Sequence, residues 1–390
     1  MYNEGGFYYI SKFKCDLCGN EDLKYVGYKN NKPYCRKCIS FKGESADLNI
    51  SFIKKQSKAF LKYGLSEDQD RISKQLLENY KNHLNTLVYA VCGAGKTELV
   101  FRVIEYALSN KFKVGFAVPR KDVVIELAVR FKNTFKNNLI TSLYGGNTSH
   151  LYGDIICLTT HQLYRYNNYF DLLILDEIDA FPYKGNDVLN ALFKRSVKGN
   201  FILMSATPDD STLKEFSKGN NRIEKLFTRY HKKPIPVPKI KISFSFLKYI
   251  FLINKLKKYI ENDKQCFIFT PTIDESKVVF DIISKFVKKG NYVNSKRDNR
   301  AKIIQDFRDK KYKYLVTTAV LERGVTVKNL QVIIFNADSE IYNKYALLQI
   351  SGRVGRVIGY EKGEVYYLCS KKTKAMEDAI EFTKKANSNL

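Results

Sequence analysis

Leu87-Val88-Tyr89-Ala90-Val91-Cys92-Gly93-Ala94-Gly95-Lys96-Thr97 runs from apolar residues into a glycine turn and then into a helically spaced stretch. Strand, glycine turn and helix in that order make a phosphate-binding loop. Glycines let backbone N–H groups close around phosphate oxygens, and the helix that follows turns its positive end to the anion. The reading makes Gly93, Ala94 and Gly95 the cradle, sends Lys96 to the β- and γ-phosphates, and gives Thr97 to Mg²⁺. ATP with Mg²⁺ is the expected ligand. The strict pattern has Gly where this chain has Ala90, so the stretch alone also admits an ordinary glycine turn.

A second stretch weakens that alternative. Asp171-Leu-Leu-Ile-Leu-Asp176-Glu177-Ile178-Asp179 is an apolar strand ending in acids. Carboxylates are costly at a buried strand end unless a cation sits there. Downstream of a phosphate loop, Asp176 is expected to hold Mg²⁺ and Glu177 to orient the attacking water. Upstream, Gly64-Leu-Ser66-Glu-Asp-Gln69 offers Gln69 to the adenine edge, although a helix capped by Ser66 accounts equally for these residues.

The same rhythm extends outward from the loop. Apolar runs at Thr86–Val91, Lys113–Val118, Asp154–Leu158, Leu172–Leu175 and Phe201–Met204 alternate with helical or loop patterns. It resumes with Cys266–Phe269, Tyr314–Thr317, Gln331–Phe335 and Glu364–Leu368. Buried strands alternating with helices predict an α/β fold of parallel, doubly wound sheets. Between the two sets, Lys232-Lys-Pro-Ile-Pro-Val-Pro-Lys239 cannot continue a ladder or a helix, and reads as a linker. The expected organisation is a cysteine module at 1–50, a first lobe at 51–231, a linker at 232–239 and a second lobe at 240–390. A helical pattern is expected from about Leu48 to Tyr80.

Cys15-Asp-Leu-Cys18 and Cys35-Arg-Lys-Cys38, separated by 16 residues, have zinc-ligand spacing. Four thiolates close a tetrahedral structural Zn²⁺ site with no position left for catalysis. The other cysteines (Cys92, Cys157, Cys266, Cys369) lie in or beside apolar runs, as reduced thiols do. With 66 basic against 40 acidic residues the formal charge is +26, which favours a polyanionic partner. The longest apolar runs fall far short of the ~20 residues that span a bilayer, and the start of the chain lacks a secretory pattern, so a cytoplasmic location is expected.

Further motifs carry a resemblance. The Ala90 form of the phosphate loop is common in helicase superfamily 2, and Ser205-Ala206-Thr207 matches the motif that couples ATP to nucleic acid there. Gln349-Ile-Ser-Gly352-Arg353-Val-Gly355-Arg356 and Leu321-Glu-Arg323-Gly324-Val325-Thr326 are similar to its last two motifs. With Asp176-Glu-Ile-Asp-Ala-Phe-Pro-Tyr183 and the four cysteines, the whole chain resembles the late competence ComFA family. The resemblance implies two RecA-like lobes in tandem behind the zinc ribbon. It also implies single-stranded-DNA-dependent ATP hydrolysis supporting DNA uptake at the inner face of the membrane. Implied partners are other competence proteins and a membrane DNA channel, and an oligomer is compatible. Gly324 is expected at the nucleotide, and Arg353 and Arg356 as candidates for an arginine finger, which is worth about 10³–10⁵ in rate. Helicase superfamily 2 usually has Arg directly after the Gln of this motif, where this chain has Ile350. Pro119-Arg120 and Thr159-Thr160-His161-Gln162 are expected against the strand. A replication-restart or RNA helicase, and a zinc scaffold with a nucleotide switch, remain the rival readings.

Overall fold

The computed structural model describes residues 12–46, 57–61, 63–244, 246–318 and 327–388. By contacts the chain divides into two compact units: Met1–Tyr89 with Lys96–Lys225, and Ala90–Gly95 with Leu226–Leu390.

The N-terminal cysteines frame an antiparallel hairpin of β1 (Val26–Lys29) and β2 (Lys32–Cys35). Next comes a seven-stranded sheet made of β3 (Asn85–Ala90), β4 (Val114–Val118), β5 (Ile140–Leu143), β6 (Ile155–Thr159), β7 (Phe170–Asp176), β8 (Val197–Ser205) and β9 (Asn221–Leu226). Its order is β5-β6-β4-β7-β8-β3-β9, with β5 through β3 parallel. On one face Leu87, Ala117, Leu158, Leu173 and Leu175 enter a core with Leu189, Leu192 and Phe193 of the helix Asp187–Ser196. On the other, Phe116 meets Phe131, which packs with Phe101 and Phe135. A strand whose alternate residues are both apolar must be covered on both faces, and helices supply the cover.

The second sheet comprises β10 (Lys239–Ile242), β11 (Gln265–Phe269), β12 (Gly290–Val293), β13 (Tyr314–Thr317), β14 (Leu330–Phe335) and β15 (Val365–Cys369). The order is β10-β15-β14-β11-β13-β12, parallel throughout. Alternation is visible in the cores: Phe267, Phe269, Leu315, Val332 and Ile334 enter one cluster, and Cys266, Ile268, Val316, Ile333 and Phe335 the other.

All nine expected apolar runs are strands, within two residues at most bounds and four at the start of β8. Four strands without such a signal, β5, β9, β10 and β12, are the four edges of the two sheets. Edge strands are half-solvated and tolerate polar residues, as Asn221-Arg-Ile-Glu-Lys-Leu226 and Lys239-Ile-Lys-Ile242 illustrate. The helical expectation from Leu48 needs correcting: the helix is Glu67–Lys81, and residues 57–61 and 63–66 are irregular. Ser66 starts it with a capping box, which outweighs the apolar spacing upstream. Residues 232–238 lack regular structure, and Lys239 already opens β10. The amide of Asn387 holds this stretch at Ile235, accepting from its N–H at 2.7 Å and donating to its carbonyl at 2.9 Å.

Candidate ATP and nucleic-acid site

The acids of the first unit stand at the carboxyl end of β7, where open parallel sheets place their ligands. Asp176 ends the strand, and its Oδ1 accepts from Glu177 N–H at 2.8 Å. Glu177 has φ +58°, an uncommon conformation for a residue with a side chain, at the position expected to orient water. Desolvation pushes Asp176 up to about 6, with Lys96 opposing and Glu177 and Asp179 adding to the rise. Lys96 and Thr97 begin the helix Lys96–Leu99 directly after the glycine turn. Gly93 and Gly95, at φ +86° and +75°, adopt the left-handed backbone that the turn requires.

These donors suit a hard divalent cation: a carboxylate, a hydroxyl, and a local excess of acid that a cation would relieve.

Asp179 had no assigned role from sequence, and the structure gives it one. Ser205 Oγ donates to Asp179 Oδ1 at 2.8 Å, and Thr207 Oγ1 donates to Oδ2 at 2.7 Å. Thr207 N–H also donates to Ser205 Oγ at 2.9 Å. One carboxylate therefore fixes the Ser205-Ala206-Thr207 turn to the acid-bearing segment. In the extension that follows, Phe181 is exposed, while the Tyr183 ring meets Phe193 edge-on.

Gln69 is buried and completes the capping box: Ser66 N–H donates to its Oε1 at 2.9 Å, and Gln69 N–H donates to Ser66 Oγ. The helix cap thus uses its side-chain oxygen. Pro119 and Arg120 follow β4, with Arg120 at the N-cap position of the helix Lys121–Thr134 and its side chain making no cap hydrogen bond. Thr159 ends β6, and Thr160–Arg165 is a 3-10 helix. Thr159, Thr160 and Gln162 are buried, leaving His161 as the exposed residue of the four.

In the second unit the helix Lys344–Ser351 leads into a turn bearing Arg353 and Arg356. Arg353 is buried at 2% exposure, whereas Arg356 is partly accessible and donates from Nε to Gly352 O at 2.7 Å. Ile350 is wholly buried in the core. The turn is gripped by residues that sequence reading missed. Arg229 donates from Nη1 to Val354 O and Gly355 O, both at 2.7 Å, and from Nη2 to Gly352 O at 3.1 Å. Tyr230 Oη donates to Arg356 O, and His231 Nε2 to Gly355 O. The run Thr228-Arg-Tyr-His231 follows an edge strand and resembles no motif, so it gave no signal. Gly324 lies outside the described residues.

The four cysteines converge. Cys15 Sγ and Cys38 Sγ are 3.8 Å apart, as are Cys18 Sγ and Cys35 Sγ, and all four lie within 4.8 Å of one another. Tetrahedral zinc–thiolate bonds of about 2.3 Å place sulfurs about 3.8 Å apart, so the donor set fits zinc. No helix among the described residues is long and apolar enough to cross a membrane.

Residues 62–210 match the family described as "Type III restriction enzyme, res subunit", and residues 249–358 match "Helicase conserved C-terminal domain". Competence protein ComFA of Bacillus subtilis (strain 168) is 33% identical over 398 residues, covering 96% of this chain and 86% of that protein. Competence protein ComFA of Streptococcus pneumoniae R6 is 32% identical over 372 residues, covering 91% and 86%. Among solved structures, S. cerevisiae Dbp5 bound to RNA and ADP BeF3 shares the fold, with TM-score 0.63 and 15% identity over 84% of this chain and 93% of that one. RecG bound to a three-way DNA junction does likewise, at TM-score 0.61 and 20% identity, over 84% and 47%. The chain has two RecA-like parallel-sheet lobes, is a nucleic-acid-dependent ATPase of the helicase type, and belongs to the ComFA family of competence proteins.

Proposed function

We propose that the chain is a single-stranded-DNA translocase whose ATP hydrolysis supports DNA uptake in natural transformation. The observation that carries the motor reading is the Asp179 bridge, which ties the Ser205–Thr207 turn to the acids at the end of β7. DNA is preferred as polymer because likeness to competence proteins runs along nearly the whole chain.

In this reading the backbone of Gly93–Gly95 and Lys96 bind the phosphates, Thr97 and Asp176 hold Mg²⁺, and Glu177 orients the attacking water. The cation, when bound, neutralises charge that develops on the phosphates. Arg356, with Arg353 beside it in sequence, supplies positive charge in the transition state. Gln69 offers its amide to the adenine, and Gly324 lies near the nucleotide. Arg120 and His161, with the backbone at Pro119 and Thr159–Gln162, touch the strand. Cys15, Cys18, Cys35 and Cys38 hold a structural Zn²⁺. The cysteine module spans 1–50, the first lobe 51–231, a linker 232–239 and the second lobe 240–390. The motor works in the cytoplasm, at the inner face of the membrane, with other competence proteins and a DNA channel.

The test is steady-state ATPase activity with no polymer, single-stranded DNA, duplex DNA or single-stranded RNA, beside Lys96→Ala. Stimulation by single-stranded DNA that disappears in Lys96→Ala is expected. Stimulation chiefly by RNA would overturn the DNA assignment, and absence of turnover in every condition would overturn the motor.

A further inference from the structure

The cysteine module is not merely tethered to the first lobe. Its C-terminal strap, residues 41–46, lies along the 3-10 helix Thr160–Arg165. Phe41 starts the strap just beyond the last cysteine, its N–H donating to Cys38 O at 2.9 Å. Its ring stacks on His161, with centroids 6.2 Å apart and planes at 25°, and is tilted against Tyr164 at 5.8 Å. Tyr164 Oη donates to Lys42 O at 2.6 Å. Arg165 donates from Nη1 to Glu44 O at 2.7 Å and from Nε to Gln162 Oε1 at 2.8 Å. Ala46 N–H closes the strap on Arg165 O at 2.9 Å.

Gly43 shows how close the approach is. It has φ +142°, and a Cβ there would lie 2.6 Å from Tyr164 Oη and 2.8 Å from a guanidinium nitrogen of Arg165. A side chain at this position would be strained at that φ, and would push the Tyr164 hydroxyl and the Arg165 guanidinium off the strap backbone that they hold. From the other side, Val188 of the helix Asp187–Ser196 packs against the cysteine cluster together with Phe13, Leu17 and Phe41.

The strap therefore seats on the segment whose exposed residue is His161, and puts an aromatic ring on one face of that imidazole. A ring that must meet a base or a phosphate loses less freedom on binding when its plane is already fixed. We propose that Phe41 is a positioning residue, and that the strap of the cysteine module sets the affinity for the nucleic-acid strand by fixing His161. The inference rests on the proposed contact between Thr159–Gln162 and the strand. It assigns the module a role in grip, separate from the chemistry at Asp176 and Glu177.

The experiment uses the full-length, zinc-loaded protein, with zinc content and melting temperature measured for each variant. Binding of a fluorescein-labelled oligothymidylate is followed by anisotropy, and ATPase activity is titrated with the same polymer. In Phe41→Ala the Kd and the half-maximal polymer concentration are expected to rise about tenfold, the order of one lost stacking contact. Polymer-free turnover, the KM for ATP and maximal turnover stay unchanged. Phe41→Tyr, which keeps the ring, restores the affinity. Gly43→Ala, which keeps Phe41 but disturbs the Tyr164 and Arg165 contacts that hold the strap, moves affinity in the same direction and stands in if Phe41→Ala fails to fold. A folded Phe41→Ala with wild-type Kd, or Gly43→Ala with wild-type Kd where Phe41→Ala does not fold, overturns the inference alone. A wild type that binds no strand overturns both this inference and the proposed function.

Discussion

Arg229 is 1% exposed, and its guanidinium serves three backbone carbonyls of the turn that carries Arg353 and Arg356. Burial, and secondarily the nearby Arg356, lowers its pKa to about 10, so it stays charged at neutral pH. Hydrogen bonds from a charged donor contribute about 1.5–3 kcal/mol each, and removing the donor strands its buried acceptors. Arg229→Ala is therefore expected to destabilise the protein by about 3 kcal/mol or more in denaturant melts, with Arg229→Lys recovering only part because it lacks the planar fork. The two arginines of the turn should separate by environment. Arg356→Ala removes a partly accessible cation, and is expected to lower maximal ATPase turnover about 10³-fold with little change in melting temperature. Arg353→Ala empties a buried site, and should lower the melting temperature as well. If thermal melts and turnover assays give the two variants equal stability, the distinction fails. The glycine turn at Gly93–Gly95 and the acids ending β7 were legible in sequence because their spacing next to a strand is local. Arg229 was not, since its partners lie about 125 residues away and only folding brings them together.

Strands were read at the scale of elements from apolar runs, and the edge strands escaped that reading because one of their long sides meets solvent or side chains rather than another strand. A second element-scale feature is the irregularity between Phe170 and Leu172, where β7 shifts register against β8. Gly199 lies opposite this point, and a Cβ there would come 2.2 Å from Asp171 O. That obstacle is backbone, which cannot swing aside as a side chain can. Gly199→Ala should force β7 and β8 apart locally, costing about 1–3 kcal/mol as overpacking does. Because β7 ends at Asp176, the shift should also reach the acids and lower ATPase turnover. Denaturant melts and kinetics on the same preparation check both effects, and a variant as stable as wild type would contradict the packing argument.

Over the whole chain, the charge of +26 makes the grip on a polyanion salt-dependent. The half-maximal polymer concentration is expected to rise with ionic strength, by a slope of about 0.7 for each phosphate neutralised on a single strand. Arg120→Ala, if Arg120 holds one phosphate, should weaken binding to all sequences alike and reduce that slope by about 0.7, as salt titrations of anisotropy would report. An unchanged slope removes Arg120 from the strand. The sequence by itself determined the parallel α/β class, the glycine turn between strand and helix, the acids at a strand end, the four-thiol donor set and the family likeness. Each is written in contiguous residues whose spacing has a local physical meaning: two-residue alternation, glycine conformational freedom, or paired cysteines on tight turns. Tertiary structure alone decided that Asp179 anchors Ser205 and Thr207, that Arg229 holds the arginine-bearing turn, and that Phe41 lies on His161. These contacts join residues 26 to about 125 positions apart, and sequence periodicity carries no information about which distant side chains a fold brings within hydrogen-bonding or stacking reach.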